Sequence, residues 1–314
     1  MRELYRAVWR VSGRAQILLV VLSLLVAALA SVPLKFQQLA VNGLIEGTAI
    51  GDFAWLCAGF LAALVLSAGL KFLLGLRLSV VGEDVVRRIR ERLYTNQVAD
   101  AARDPTAADQ RGTLLAMLNA EAELVGSFAG AAIAHPLTQL GTLVSVIGFI
   151  AVSQPWLGLI ALAVVLPQAA VVIALQQRIN RRVRERVLAL RDASDRIARS
   201  ELARVEDEVL AGFRRVYATR RAIFRLKLSS KLALGAVSAL GKVGILLLGG
   251  WLVLRGRSDV GTVVASLTGL ARIEGPWRDL VAFYRTASTV RVKYEMLVRA
   301  LAAREGPPQV TLRG

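Results

Sequence analysis

The chain holds one cysteine and one histidine in 314 residues. A lone thiol, Cys57, cannot close an internal disulfide, and together with one histidine it makes no metal-ligand cluster. The histidine, His135, precedes Pro136 at the start of an apolar run, the setting of a helix-packing residue rather than a ligand. Acidic residues are scarce as well: 23 Asp and Glu stand against 40 Lys and Arg, a formal charge of +17. A charge of that size raises nucleic acid as a partner. The positions argue against it. The arginines crowd into segments between apolar runs, and no aromatic-interleaved basic patch is present, so no nucleic-acid partner is expected.

What is abundant is apolar sequence, 55% of the chain, and it comes in blocks rather than at periodic positions. A bilayer crossing takes ~20 apolar residues. Candidate spans are Ile17–Phe36, Trp55–Leu76, Ala129–Val152, Trp156–Leu175 and Leu232–Leu254. Ala28-Leu-Ala30 resembles a signal-peptide cleavage site, but apolar character continues to Val32 and the basic segment before it is long and patterned. Residues 1–14 read as an interfacial amphipathic helix: Leu4, Tyr5, Val8 and Trp9 share one face, and Arg2, Arg6 and Arg10 another. A frayed basic terminus is the plainer alternative.

The connections between runs are unequal. Gln37–Asp52 has no Lys or Arg and carries Asn42-Gly43 and Gly47, so it reads as a short outer loop. Gln154-Pro155 is a minimal outer turn, and Arg255–Gly261 another short loop. Trp55, Trp156 and Trp251 then sit at the outer interface, as an aromatic belt expects. Arg77–Ala102 is long and basic, and with the second span it is expected to form one helix reaching well beyond the bilayer. Lys71 lies near the inner end of that span, where a long side chain can snorkel. Asp104-Pro105 and the polar run to Gly112 make a turn, and a helix over Leu114–Val125 leads into the third span. Arg178–Lys227 is a second long basic excursion, with its helical pattern interrupted at Glu208–Gly212 near the tip. Positive segments stay on the cytoplasmic side, which places both excursions there.

Thr262–Val281 is the weakest candidate span, because it contains Arg272, Glu274, Arg278 and Asp279. A central charge costs ~2.5–3.5 kcal/mol on the insertion scale, and each Leu or Val returns only ~0.3–0.6. If it did not cross, Arg285, Arg291, Lys293, Arg299 and Arg304 would lie outside, against the charge rule. It is therefore kept as the sixth span, shielded by other helices or facing water, with both termini cytoplasmic. Arg272 and Glu274 lie about 200° apart on a helical wheel, whereas Arg272 and Asp279 share a face. Lys242 is central in the fifth span. Lys242, Arg272 and Glu274 are the candidate substrate-path residues, a basic tint that favours an anionic or polar substrate. A packing salt bridge of Lys242 with Glu274 is the competing reading.

The order of these parts gives an all-α polytopic membrane protein with six transmembrane helices and two long cytoplasmic helical hairpins. It resembles the transmembrane domain of an ATP-binding cassette (ABC) exporter of the half-transporter type. Glu208-Val-Leu-Ala-Gly-Phe-Arg-Arg-Val-Tyr-Ala218 is similar to the family's stretch around the second coupling helix, E-x-L-x-G-I-R-x-V-K-A, with Tyr217 in place of Lys. Gly112-Thr-Leu-Leu-Ala-Met-Leu-Asn-Ala-Glu121 resembles the first coupling region, G-x-L-x-x-R-L-x-x-D, with Met117 for Arg and Glu121 for Asp. Val260-Gly-Thr-Val-Val-Ala265 and Pro276 resemble the start and middle of the sixth helix.

The resemblance implies residues 15–301 as the membrane domain, with 302–314 as a linker or tail. It implies a homo- or heterodimer in the lipid bilayer of the cell (inner) membrane. Leu118, Asn119, Glu121, Glu208, Leu210, Gly212 and Arg214 would contact an ABC ATPase subunit or domain. No ATPase sequence is expected within these 314 residues. A phosphate-binding loop needs G-x-x-x-x-G-K-[ST]. Its nearest approach, Gly235 to Gly241-Lys242-Val243, has one residue too many between the glycines and lies inside an apolar run. The chain is therefore expected not to be an enzyme and to hold no cofactor; ATP and Mg would be bound by the partner ATPase. The alternative is a scaffold or sensor module that uses the same hairpins to bind a cytoplasmic partner without transport.

Overall fold

The computed structural model describes residues 2–103, 117–199 and 202–302. Among them every regular element is helical. In chain order these are α1 (Arg2–Leu29), α2 (Val32–Glu46) and α3 (Ile50–Arg103), then a π-helical turn (Met117–Glu121). There follow α4 (Ala122–Ala131), α5 (Ala134–Ser153), α6 (Pro155–Arg199), α7 (Leu202–Leu254) and α8 (Val260–Ala302). The turn expected at Asp104-Pro105, residues 111–116 of the first coupling motif and the tail beyond residue 302 lie outside the described residues.

Five helical segments among the described residues are long and apolar enough to cross a membrane: Ala15–Glu46, Ile50–Thr95, Ala122–Ser153, Pro155–Leu175 and Asp207–Leu254. The charged α8 is not one of them, in keeping with its expected inability to insert alone. The side chains on these segments invert the habit of a soluble protein. Leu61, Val65, Leu66 and Phe72 of α3 are exposed, and so are Trp55, Trp156 and Trp251. Apolar residues facing outward over such lengths need lipid or another apolar surface against them.

The chain divides into two compact units, Met1–Phe149 with Arg272–Gly314, and Ile150–Ala271. In the first unit α1 and α2 pack on α3, and α3 packs on α4. Leu19, Leu22 and Val26 of α1 meet Leu74, Val81 and Ala134 in one buried cluster. The α3–α4 contact is close because glycines make it so. A Cβ on Gly126 would stand 2.8 Å from the Val86 backbone nitrogen, and one on Gly82 would stand 3.3 Å from Ser127 Cα. With no side chain on either glycine, the two helix backbones can approach closely. Gly82, the only breaker residue within Arg77–Ala102, thus sits inside an unbroken helix as a packing residue.

The second unit contains the α6–α7 pair, and its side-chain pairings fix an antiparallel register. Ile160 meets Gly244, Val164 meets Gly241, and Gln168 Nε2 donates to Leu234 O at 3.4 Å. The residue number on α7 falls as that on α6 rises. At the α7–α8 connection Gly256 takes φ 67°, and Asp259 caps α8 by accepting from Thr262 N at 2.6 Å and Thr262 Oγ1 at 2.8 Å.

Several sequence expectations need correction. The first run is not one helix: it breaks at Ala30-Ser31, and α2 restarts with Pro33 in its first turn, where a missing N–H costs nothing. The loop expected over Gln37–Asp52 is mostly helix, because α2 continues to Glu46 and ends on Gly47 at φ 72°. The third run is broken at Ala132-Ile133, just before Pro136, which cannot donate to an i−4 carbonyl. Gln16 and Ser23 of α1 donate to Ala129 O and Ala134 O beside that break, each at 3.2 Å. The third connection is shorter than expected, since α8 already starts at Val260. No interruption occurs at Glu208–Gly212; α7 runs through it, since one glycine weakens a helix by only ~1 kcal/mol. The segment over residues 2–14 is helical, as expected, and lies in the same helix as the start of the first run.

Candidate functional site

Two features of the first unit share a helix, α8, as a neighbour. The first is a cavity of about 580 Å³ lined from α3, α5 and α8. Arg272 and Asp279 of α8, one heptad apart, both line it, as their shared helical face requires. Lys71 and Ser67 come from α3, His135 and Gln139 from α5. Arg272 is half-buried, and its Nη1 donates to Ala30 O at 3.4 Å, a carbonyl at the α1–α2 break. Asp279 Oδ2 accepts from Gln139 Nε2 at 3.2 Å. The His135 ring stacks near Phe283 with centroids 5.8 Å apart, so its packing role holds while it also lines the cavity. Two cations and one carboxylate border this space together with amide and imidazole groups. Such a lining offers charged hydrogen bonds to a polar or anionic guest.

Glu274 is half-buried on α8 and does not line the cavity, consistent with its position about 200° round the helix from Arg272. Lys242 lies on α7 in the second unit and is half-buried.

The second feature is the π-helical turn Met117–Glu121. Such turns are rare and concentrate at functional positions. Here the turn carries Leu118, Asn119 and Glu121 of the first coupling motif. Glu121 is 8% exposed, and its Oε1 accepts from Lys293 Nζ of α8 at 2.7 Å. The other carboxylate oxygen, Oε2, is buried with no hydrogen-bond partner. Arg90 of α3 donates from Nε to Leu118 O at 2.9 Å, and its Nη2 lies 3.8 Å from Glu123. Beneath the turn Leu93, Val125, Phe128, Ala287 and Val290 form a buried cluster, with Leu118 packed against it. Asn119 is exposed. The turn is therefore held by α3 on one side and α8 on the other, with Asn119 left outward.

In the second unit Glu208, Leu210 and Arg214 are exposed on α7, Gly212 is half-buried, and Val209 is buried between them. These residues present an accessible polar surface on a continuous helix.

The family model described as ABC transporter transmembrane region matches residues 16–218. The chain belongs to that family. The match runs from the middle of α1 through the first third of α7 and so includes both coupling motifs; α8, with Arg272 and Lys293, lies beyond it. No curated protein matches the chain. As a multi-pass membrane subunit of an ABC transporter, the chain has a place in its fold for every candidate residue. The partners Lys293, Arg90 and Gln139 were not singled out from sequence as site residues. Lys293 was legible only as one more positive charge of the α8 tail, and nothing in a single sequence says which of several cations meets Glu121.

Proposed function

We propose that this chain is the membrane-spanning subunit of an ATP-driven exporter, forming the substrate path and driven by an ATPase held on another chain or domain. One observation carries the reading: the cavity residue Arg272 and the latch residue Lys293 stand on one helix, α8, which runs on through Pro276 between them. They are 21 positions apart, about 31 Å at ~1.5 Å per residue. A displacement of the turn Met117–Glu121 is passed through the Glu121–Lys293 pair to α8, and along α8 to the cavity. Stiff helices moving as bodies are a recurring element of such transitions.

In this reading the long basic hairpins project into the cytoplasm, both termini are cytoplasmic, and α8 is the sixth span, tolerated because its charged face borders the cavity. The chain functions as a dimer and does not itself hydrolyse ATP. Polar and basic groups around Arg272 favour an anionic or polar substrate.

The test is purification of the tagged full chain from its native membrane, with mass-spectrometric identification of what comes with it. An ATPase whose hydrolysis depends on the chain supports the reading. Copurification of another cytoplasmic protein with no ATP hydrolysis removes it in favour of a scaffold. Orientation is checked with Gly212→Cys in a Cys57→Ser background. An impermeant maleimide is expected to label inside-out vesicles and not intact cells.

A further inference from the structure

The hairpin of α6 and α7 contains a second cavity, of about 490 Å³, wholly within the second unit. Arg182 of α6 and Arg221 and Arg225 of α7 border it, together with Tyr217, Ala222 and Leu226. The three arginines converge because the antiparallel register brings residue 182 beside the segment 217–226, and because Tyr217, Arg221 and Arg225 recur every fourth residue on one face of α7. The surroundings hardly neutralise them. Residues 178–187 contain five arginines and one acid, and residues 214–227 five arginines, one lysine and no acid. The acid, Glu185, accepts from Arg182 at 3.0 Å and leaves Arg221 and Arg225 uncompensated by it.

The depth of this cleft is fixed by counting. Arg182 lies seven residues past Leu175, the end of one apolar run, and Arg225 lies seven residues before Leu232, the start of the next. Both therefore stand about 10 Å along their helices from the hydrocarbon edge, at ~1.5 Å per residue. Headgroups occupy roughly the first 5–8 Å beyond that edge, and an arginine side chain spans the difference. The cleft combines guanidinium forks, which match phosphate oxygens, with an apolar lining of alanine, leucine and arginine stems.

We propose that this cleft is a binding site for the phosphate of an anionic phospholipid in the leaflet on the arginine-rich side of the membrane. The guanidinium groups of Arg182 and Arg225, at matching depth on facing helices, hold the phosphate, and Arg221, one helical turn farther from the membrane than Arg225, adds charge behind them. A lipid seated here bridges α6 and α7 just below the membrane and ties the hairpin to leaflet composition.

The test uses the full chain reconstituted in phosphatidylcholine vesicles containing a minor share of phosphatidylglycerol, extracted gently, with retained lipid counted by native mass spectrometry. The variant Arg182→Gln, Arg221→Gln, Arg225→Gln is expected to lose retained phosphatidylglycerol by about fivefold for each arginine removed. A control that removes the same charge from exposed positions outside the cleft, Arg178→Gln, Arg181→Gln, Arg215→Gln, is expected to lose distinctly less, only the share due to general attraction. Equal loss in both variants overturns the proposal, since the attraction is then that of the whole basic surface. Equal retention in both overturns it as well. Titration of inorganic phosphate into the chain in phosphatidylcholine alone is expected to give no saturable binding; saturable binding lost in the cleft variant assigns the site to a soluble anion and overturns the lipid. If the triple variant does not fold, Arg225→Gln alone, at an exposed helix position, is compared with Arg181→Gln by the same readout.

Discussion

Glu121 and Lys293 meet at 2.7 Å although 172 positions separate them in the chain. The carboxylate is nearly buried, whereas the lysine side chain keeps 38% of its exposure. The pair therefore lies between the weak ion pairs of a surface and the costly ones of an interior. It joins the coupling turn to the helix that lines the cavity, and the proposed relay passes through it.

Removing one partner exposes that asymmetry. Lys293→Met leaves a buried carboxylate with neither oxygen paired to a cation, and the expected loss is about 1–3 kcal/mol of stability. Glu121→Gln, which keeps the shape and removes the charge, is expected to cost less. Thermal unfolding of the detergent-solubilised chain measures both. In the assembled transporter Lys293→Met is expected to lower transport more than ATP hydrolysis, and equal loss of the two activities goes against the relay.

The proposed substrate path gives the second prediction, through Arg272 of the cavity and Lys242 of the second unit, which does not line it. Arg272→Gln and Lys242→Gln, alone and together, are expected to reduce uptake of an anionic dye such as carboxyfluorescein into inside-out vesicles that contain the ATPase partner. Uptake of a neutral dye is expected to change little. Anion uptake unchanged in the double variant removes the basic tint from the substrate path. Glu274→Gln, on the opposite face of α8, is expected to leave anion uptake near the wild-type level.

A third prediction concerns packing. Gly126→Leu places a branched side chain where a single Cβ already crowds the Val86 backbone at 2.8 Å. Separation of α3 from α4 follows, with a loss of at least about 1–3 kcal/mol, the usual range for overpacking. Gly148→Ala, where a Cβ meets open space, is expected to be neutral or mildly stabilising in the same melting experiment.

The start of α8 gives the fourth. Asp259→Ala removes both hydrogen bonds to Thr262 and is expected to cost about 1 kcal/mol, with Asp259→Asn retaining most of the cap. Hydrogen exchange of the amides from Thr262 onward reports the fraying. Unchanged protection there means that packing, not the cap, starts the helix.

Much of the architecture was legible because it follows from composition along one dimension. Apolar runs of bilayer length, basic segments between them and the continuous pattern through Gly82 gave the long α3 and the α6–α7 hairpin. The breaks at Ala30-Ser31 and Ala132-Ile133 were missed because hydropathy averages over Pro33 and Pro136, whose missing N–H favours a break there, although α6 and α8 run on through Pro167 and Pro276. The expected interruption at Glu208–Gly212 failed for the opposite reason: a glycine permits a break without requiring one. Among the site residues the shared face of Arg272 and Asp279 was readable from their spacing, since helical periodicity is local.

The sequence by itself determined that this chain crosses a membrane repeatedly and carries long basic hairpins, because insertion energy and charge bias depend on residue type and order alone. It also contained the motifs of the transporter family. Only tertiary structure decided that Lys293, among the many cations of the α8 tail, meets Glu121, and that Arg182 faces Arg221 and Arg225 across a cleft. Those pairings depend on the register and close approach of helices distant in sequence. Close glycine contacts between facing helices contribute to that register, and no one-dimensional pattern encodes it.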